Sequence, residues 1–288
     1  MSDRIDVLKT YKMYIGGNFP RTESGRYYKV YNEDEELLAN ACRATRKDFR
    51  NAMVAARGAF SGWSERSAYN KGQILYRIAE MMESRREQFI KELGPLGFSN
   101  QEAHADVDAS IDRLVYYAGW TDKIQQVFGS INPVASSHFN FSLMDPTGVV
   151  AAFAPEHSPL LGLVSVIAPI IAGGNTCVVL ASEVHPLPSI TFAEVLNSSD
   201  VPGGVVNILT GLKEELTEHF SSHMDVNAVF YSDNLSNDMR MMIDENASNN
   251  LKRVIRRPVK DWYDEESKSP YFITDFMETK TTWHPIGY

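Results

Sequence analysis

The sequence predicts an α/β protein in which a parallel sheet is covered by helices on both faces. Four short, nearly continuous apolar runs carry this prediction: GVVAAFA (148–154), TCVVLA (176–181), GVVNILT (204–210) and NAVFYS (227–232). Unbroken Val, Ile and Leu runs are typical of parallel strands, because both faces of such a sheet are buried. Helical segments follow the runs at 159–172, 187–198, 212–221 and 235–247. Right-handed crossovers between such strands give a Rossmann-like, doubly wound sheet.

A helical segment is expected before the sheet. Residues 13–41 contain Gly-Gly and Ser-Gly pairs and are interpreted as short strands and turns. Beyond them, Phe49, Met53, Ala56 and Phe60 recur at helical spacing, which predicts a first helix. Two longer amphipathic patterns predict a second helix that ends at Gly94 and a third that stops near Gly129.

Composition restricts the class of partner. The 288 residues leave room for one large or two modest domains, and a net charge of -9 argues against nucleic-acid and anionic-membrane surfaces. The basic run at 251–260 is a local exception, and we interpret it as an edge strand with solvated charges. The apolar stretch 159–174 is shorter than the roughly 20 residues that span a bilayer, and the N-terminus lacks an apolar signal core. We therefore expect a cytoplasmic protein with no membrane or nucleic-acid partner.

The two cysteines are predicted to be structural. Cys42 and Cys177 lie far apart without a CxxC pattern, which argues against a disulfide framework or a structural zinc site. Cys177 lies inside an apolar run, where no cation or helix N-terminus would lower the pKa of its thiol. Both cysteines are therefore interpreted as small core residues and not as nucleophiles.

Two histidines four residues apart raise the question of a metal site. His219 and His223 could share one helical face, as metal ligands do, but no third ligand or flanking glutamate accompanies them. The pattern favours a solvated helix end, and no metal site is predicted.

Five sequence blocks, in this order and spacing, carry a resemblance to the aldehyde dehydrogenase superfamily. They are YIGG (14–17), YYAGWTDK (116–123), PTGVVAAFAPEHSPLL (146–161), GGNTCVVLASE (173–183) and SDVPGGVVNILTG (199–211). The chain is also similar to the vestigial second domain of the two-domain, family-16 type. The resemblance implies an NAD-binding-like domain over residues 12–250, with strands of an oligomerisation arm near 130–147.

The end of the chain extends the resemblance. FMETKTTWHPIG (276–287) looks like the family's C-terminal strand, which completes the oligomerisation arm, so residues 251–288 are expected to form an oligomerisation segment. Only about forty residues precede this strand after the last apolar run, where a full-length member inserts a domain of roughly 200 residues. The resemblance therefore implies that the catalytic domain, with its thiolate nucleophile and carboxylate base, is absent.

By resemblance, six residues fall at the family's NAD-binding positions: Phe153, Pro155, Ser182, Glu183, Gly211 and Ser232. Three neighbouring positions depart from the pattern. Leu180 replaces the lysine of Lys-Pro-Ser-Glu, Lys213 replaces a glycine, and Asp233 replaces the glycine of Phe-Thr-Gly-Ser. A lost hydrogen bond to a charged group costs about 1.5–3 kcal/mol, so NAD binding is expected to be weak or lost.

The loop after the first sheet strand departs from the family as well. His157 falls on the oxyanion-hole asparagine of Pro-Trp-Asn-Phe-Pro, and Glu156 replaces the tryptophan. A neutral imidazole can donate one hydrogen bond, yet the pair is interpreted as a solvated loop of an eroded site. No catalytic residue is predicted.

Three functions remain open from the sequence. The first is a non-catalytic subunit that pairs with itself or with a full-length aldehyde dehydrogenase, favoured by Trp283 on a strand that would otherwise leave an open edge. The second is an NAD-dependent aldehyde oxidoreductase with a composite site. The third is a weak nucleotide-binding regulatory module in which Phe153, Pro155 and Glu183 line an adenosine site.

Overall fold

A computed structural model of the protein describes residues 9–232 and 235–287. The chain begins with an antiparallel hairpin, β1 (Tyr27–Tyr31) and β2 (Leu37–Cys42). Five helices follow: α1 (Arg46–Ser64), α2 (Ala68–Ser84), α3 (Arg86–Leu93), α4 (Asn100–Ala118) and α5 (Ile124–Phe128). Two of the sequence-based helices were therefore predicted too long.

Both breaks have a local cause. The predicted second helix is interrupted at Arg85, whose φ of -112° and ψ of 15° lie outside helical geometry and end α2. The predicted third helix ends at Gly119, and a turn separates it from α5. Amphipathic spacing continues through both breaks, which is why periodicity did not reveal them.

Two antiparallel strands, β3 (Ser130–Asn132) and β4 (His138–Pro146), follow α5 and confirm the strands expected near 130–147. Next come β5 (Val149–Phe153), α6 (Leu161–Ala172), β6 (Thr176–Leu180), α7 (Leu187–Asn197), β7 (Val206–Leu209), α8 (Lys213–Ser222), β8 (Ala228–Tyr231), α9 (Asn237–Ser248) and β9 (Arg253–Arg256). The five strands β5–β9 form one parallel sheet in the order β7-β6-β5-β8-β9. This confirms the doubly wound α/β prediction.

The sheet separates two apolar cores. Alternate residues of β5 point to opposite sides, with Val150 and Ala152 in one core and Val149, Ala151 and Phe153 in the other. Helices α6 and α7 cover the first side with α2 and α4 outside them, and α1, α8 and α9 cover the second. Every residue of α6 is buried, since this helix lies between the sheet and a further helical layer. None of the helices in the described ranges has the length and apolarity to cross a membrane.

The last elements are α10 (Tyr271–Thr274) and β10 (Met277–Pro285). Strand β10 pairs with β4 over nine residues, from Met277 opposite Pro146 to Pro285 opposite His138. The resulting sheet, β10-β4-β3, is called the arm sheet below. The expected C-terminal strand is present and pairs with the strands near 130–147, while the role of this sheet as an oligomerisation arm stays a prediction.

The basic run at 251–260 forms the edge strand β9, as expected, but its charges are not all solvated. Lys252 is 7% exposed, and the guanidinium of Arg257 stacks on the Phe272 ring at 3.5 Å while it pairs with Asp275. The Arg253 guanidinium donates to the carbonyl oxygen of Asp275 at 2.9 Å. The solvated interpretation was wrong because these long side chains tie β9 to the segment that leads into the arm sheet.

Candidate functional site

The candidate site lies at the carboxyl ends of the parallel strands. Strand β5 has β6 on one side and β8 on the other, so the strand order reverses there, and ligands of such sheets bind outside this point. A cleft of about 740 Å³ opens at this edge. The loop after β5, the residue after β8 and residues 259–263 contribute to its walls, with Pro155, Glu156, His157 and Ser232 among the lining residues.

An ion pair joins the loop after β5 to the start of α8. The Lys213 Nζ donates to Oε1 of Glu156, and the two side chains are 7% and 15% exposed. Burial raises the pKa of Glu156, whereas the charge and the hydrogen bond of Lys213 lower it. The net shift of the pKa is downward. Glu156 is therefore ionised and held by a buried cation.

The second oxygen of Glu156 joins the loop after β6. Its Oε2 accepts from the Ser182 hydroxyl at 2.8 Å and from the backbone amides of Glu183 at 2.9 Å and Val184 at 3.3 Å. Carboxylates that accept several amide hydrogen bonds are strongly fixed in the ionised form. The Glu156 carboxylate thus connects the ends of β5, β6 and the beginning of α8.

Glu183 turns toward the same helix. Its Oε1 accepts from the backbone amide of Lys213, the first residue of α8. Burial raises the pKa of Glu183, and the nearby Glu156 charge adds to this shift, against the opposing effect of Lys213. Glu156, Ser182, Glu183 and Lys213 are together called the lock. Each of its four side chains has at least one hydrogen-bond partner within the chain.

Of the six predicted cofactor positions, four lie at this edge. Ser182 and Glu183 belong to the lock, while Pro155 and Ser232 line the cleft. These four residues follow parallel strands whose carboxyl ends meet at one edge of the sheet. This is why the sequence predicted them to lie together. Asp233, which replaces a family glycine, lies outside the described residues.

The other two predicted positions are packed into the protein. The Phe153 side chain is fully buried, with its ring centroid 5.1 Å from that of Phe220. Gly211 ends the segment after β7, where an added Cβ would lie 3.2 Å from the backbone nitrogen of Ala44. Close packing against the segment after β2 accounts for this glycine. A cofactor role for these positions stays a prediction.

The interpretation of Glu156 as part of a solvated loop was wrong. Its carboxylate is partly buried and ion-paired because Lys213, thirty residues beyond Glu183, lies at the same sheet edge. His157, in contrast, is exposed at the cleft, as the solvated interpretation expected. The only sequence signal for the lock was the pair of charged replacements, Glu156 and Lys213, on neighbouring loops.

Both cysteines are buried in strands and do not line the cleft, so neither is placed to act as a nucleophile there. Cys177 is fully buried in β6, where burial raises the pKa of its thiol far above the ordinary value despite a hydrogen bond from Asn207. Cys42 is 8% exposed at the end of β2, and its sulfur donates to the Tyr11 carbonyl. Both are confirmed as core residues.

Residues 257–268, called the strap, complete the cleft and were not recognised from the sequence. The Tyr263 hydroxyl donates to Oδ2 of Asp106 at 3.1 Å, and Oδ1 of the same carboxylate accepts from the amide of Leu161 at 3.2 Å. Asp106 is 1% exposed, and burial raises its pKa to about 6 against the lowering effect of both hydrogen bonds. The contact joins α4 and the N-terminus of α6 to the strap.

A buried arginine anchors the strap at a second point. Arg113, 3% exposed on α4, donates to the carbonyl oxygens of Ser267 at 2.7 Å and Trp262 at 2.8 Å. It also donates to the Ser165 hydroxyl at 2.8 Å. Asp106 and Arg113 are seven residues apart on α4 and therefore project from the same side of the helix.

Comparison with known proteins decides the family. The model of the family described as "Aldehyde dehydrogenase family" matches residues 19–256. The chain belongs to the aldehyde dehydrogenase family. The predicted resemblance is thereby confirmed.

Curated aldehyde dehydrogenases extend well beyond the matched region. "Aldehyde dehydrogenase, cytosolic 1" of Elephantulus edwardii is 34% identical over 251 residues, which cover 84% of this chain and 49% of that protein. "Cytosolic 10-formyltetrahydrofolate dehydrogenase" of Mus musculus is 31% identical over 238 residues, covering 80% of this chain and 26% of that protein. The chain thus spans about half the length of the first of these relatives and about a quarter of the second.

Similar solved structures give the same proportion. The NAD+ complex of aldehyde dehydrogenase from Bacillus cereus superposes with a TM-score of 0.80 at 28% identity, over 86% of this chain and 50% of that one. "PnpE" from Pseudomonas sp. WBC-3 superposes with a TM-score of 0.82 at 28% identity, over 87% and 51%. The sheet and its helices are therefore the aldehyde dehydrogenase Rossmann-like fold.

Proposed function

We propose that this chain is a non-catalytic aldehyde dehydrogenase-like subunit that works by association, with a second copy of itself or with a full-length aldehyde dehydrogenase. The observation that carries the proposal is the lock, which fills the family's nucleotide edge with the chain's own ion pair. The arm sheet supplies the surface for association.

The lock opposes nucleotide binding in the family manner. The carboxylate of Glu183, at the position that meets a ribose hydroxyl in the family pattern, is already engaged by the amide of Lys213. Opening the lock leaves the buried Glu156 carboxylate without its cation, and breaking a buried pair costs about 3–5 kcal/mol. A cost of this size lowers affinity by at least about a hundredfold.

The chain's thiols support the same proposal. Aldehyde oxidation in the family manner needs an activated thiolate, and a thiolate requires a lowered pKa. The sequence has two cysteines, and both are buried in strands of the fold. Cys177 has its pKa shifted in the opposite direction by burial. Neither side chain is placed to attack a molecule in the cleft.

The outer face of the arm sheet supports association. On β4, Phe139, Phe141 and Leu143 alternate with buried residues and therefore share the outer face. Ile131 of β3 stands opposite Phe141 in the register and is 74% exposed, while Phe139 and Leu143 are 43% and 45% exposed. A contiguous apolar face of this kind marks an interaction surface.

The outer edge of the arm sheet adds backbone hydrogen-bonding groups. Within the described ranges β10 pairs with β4 alone, and eight of its nine residues are exposed. Trp283 is 57% exposed on this strand. An open edge with unpaired amides and carbonyls can accept a strand from another chain.

Light scattering of the purified chain over a range of concentrations tests the proposal. We expect a mass above that of one chain, and a return to one chain in the double variant Phe139→Lys/Leu143→Lys. The matched control is Tyr69→Lys, since Tyr69 is 70% exposed on α2 and lies outside the arm sheet. A single-chain mass at every concentration, unchanged by addition of a full-length aldehyde dehydrogenase from the same organism, would contradict the proposal.

A further inference from the structure

A basic groove lies at the opposite end of α8 from the lock. It has a volume of about 750 Å³ and is formed by the first turns of α1 and the C-terminal end of α8. Its lining includes Arg46, Lys47, Arg50, His219 and His223. Such a concentration of cationic and imidazole groups is notable on a chain of net charge -9, since charge of one sign in a concave site attracts the opposite sign.

Two of the cations have no partner in the described part of the chain. Arg46 and Arg50 are exposed and stand four residues apart on α1, so their side chains project from the same side of the helix. Neither makes a hydrogen bond or an ion pair with another described residue. Lys47, between them, is instead paired with Glu23. The two free guanidinium groups are therefore available to an external anion.

His223 adds an oriented donor to the groove. Its Nδ1 accepts from the backbone amide of Asp225 at 3.2 Å, which leaves the proton of the neutral ring on Nε2. The ring meets the edge of Phe49 at a centroid distance of 5.7 Å. His223, at the end of α8, is thus fixed by packing and by a backbone contact.

The charges around His223 are predominantly positive. Burial lowers its pKa, and Lys252, Arg50 and Arg46 lower it further, while Asp225 acts in the opposite direction. Lys252 is 7% exposed and donates to the amide oxygen of Asn250, so no carboxylate neutralises it through that contact. Three of the four charged groups that act on His223 are therefore cations.

The N-terminal end of α1 is capped by its own side chains, so its backbone amides are not the anion-binding groups of the groove. The amide and hydroxyl of Thr45 both donate to Oδ2 of Asp48 at 2.8 Å. Asp48 is 3% exposed and also accepts from Thr22, so its charge is directed into the protein. The unpaired side-chain cations, and not the backbone amides of α1, are therefore the groups in the groove that can bind an anion.

We propose that this groove is a binding site for a small organic phosphate, with Arg46 and Arg50 holding the phosphate oxygens and the Nε2 of His223 donating a further hydrogen bond. Guanidinium groups match phosphate geometry with two parallel N–H donors each. Met224, 68% exposed at the rim, offers apolar contact to the organic portion. The site is separate from the lock by the length of α8, ten residues or about 15 Å.

Calorimetric titration with inorganic pyrophosphate at constant ionic strength tests the site. We expect saturable binding that weakens about a hundredfold in Arg46→Gln/Arg50→Gln, since two charge-assisted contacts are lost and each accounts for roughly a factor of ten. The control is Arg77→Gln, an exposed arginine of α2 on the other side of the central sheet, and its affinity should equal that of the unchanged chain. Absence of saturable heat, or equal weakening in the control, would overturn the proposal.

A second measurement keeps the test independent of variant folding. The proton resonances of the His223 ring in the unchanged chain, assigned by comparison with His223→Gln, should shift in a saturable manner as pyrophosphate is added. Potassium chloride at the same ionic strength should not reproduce the shift. Resonances that do not move, or that move equally with chloride, would show that the groove is only a solvated basic surface.

Discussion

Lys213 and Glu156 form a buried ion pair that joins the start of α8 to the loop after β5. The Glu156 carboxylate is shared with the hydroxyl of Ser182 and with two backbone amides, so one side chain holds three loops at the carboxyl edge of the sheet. At the edge where α/β sheets normally receive a ligand, these groups of the chain are thus bound to one another, beside the open cleft.

Removal of the lock cation should be strongly destabilising. Lys213→Ala leaves Glu156 buried without a counter-charge, and we expect a loss of about 3–5 kcal/mol in the free energy of unfolding, measured by urea denaturation. The control Lys47→Ala removes an exposed pair with Glu23 and should cost less than about 1 kcal/mol. The double change Glu156→Gln/Lys213→Met removes both charges and keeps an amide oxygen that can accept from the Ser182 hydroxyl and the two backbone amides, so it should recover most of the loss. Equal effects of Lys213→Ala and Lys47→Ala would show that the lock is only a surface contact.

Asp106 should make stability depend on pH in the acidic range. Its pKa is about 6 in the folded protein and 3.8 in its ordinary state, so the folded protein binds the proton more tightly. The stabilisation of the folded state by the protonated Asp106 side chain is fully present below pH 3.8. It is lost as the pH rises through about 6, by up to roughly 3 kcal/mol.

Urea denaturation at a series of pH values from about 4 to about 7 measures this term. Asp106→Asn should remove it, so the stability of the unchanged chain relative to the variant falls with rising pH. Asp108→Asn, at an exposed neighbouring position paired with Arg86, should retain the dependence. A constant difference between the unchanged chain and Asp106→Asn would contradict the assignment.

Arg113 should hold the strap through the several N–H donors of its guanidinium group and not through its charge alone. Arg113→Lys keeps the charge but cannot donate to the carbonyl oxygens of both Trp262 and Ser267. The Trp262 oxygen keeps the Ser267 hydroxyl as a donor, whereas the Ser267 oxygen left unpaired costs about 1–3 kcal/mol. We expect hydrogen exchange of amides in residues 257–268 to accelerate, with little change in the sheet. The control Arg66→Lys alters an exposed arginine bonded to Asn70, and unchanged exchange in the strap of Arg113→Lys would refute the anchoring role.

The strands of the parallel sheet could be predicted from the sequence because their signals are local. The runs that became β5–β8 are fully buried and mostly apolar, and strand positions were correct within a few residues. The break at Arg85 was missed because apolar spacing continues through it. Only the backbone angles of that residue end the helix.

The candidate site could be predicted only in part, since its contacts join distant segments. Ser182 and Glu183 were placed at the correct edge through the family pattern, but the partners of both depend on where Glu156 and Lys213 meet in space. The attachment of Tyr263 to Asp106 joins residues 157 positions apart, and no local pattern marks such a pair. Charged replacements in neighbouring loops could therefore be read as eroded positions but not as a mutual ion pair.

We propose that the lock takes the place of the nucleotide at the edge of the sheet. Calorimetric titration of the purified chain with NAD and NADH is the measurement that tests this proposal. We expect no saturable heat and no increase in melting temperature at millimolar nucleotide. Saturable binding at micromolar nucleotide would contradict it, because the Lys213–Glu156 pair and the occupied Glu183 carboxylate would then have to open without a measurable penalty.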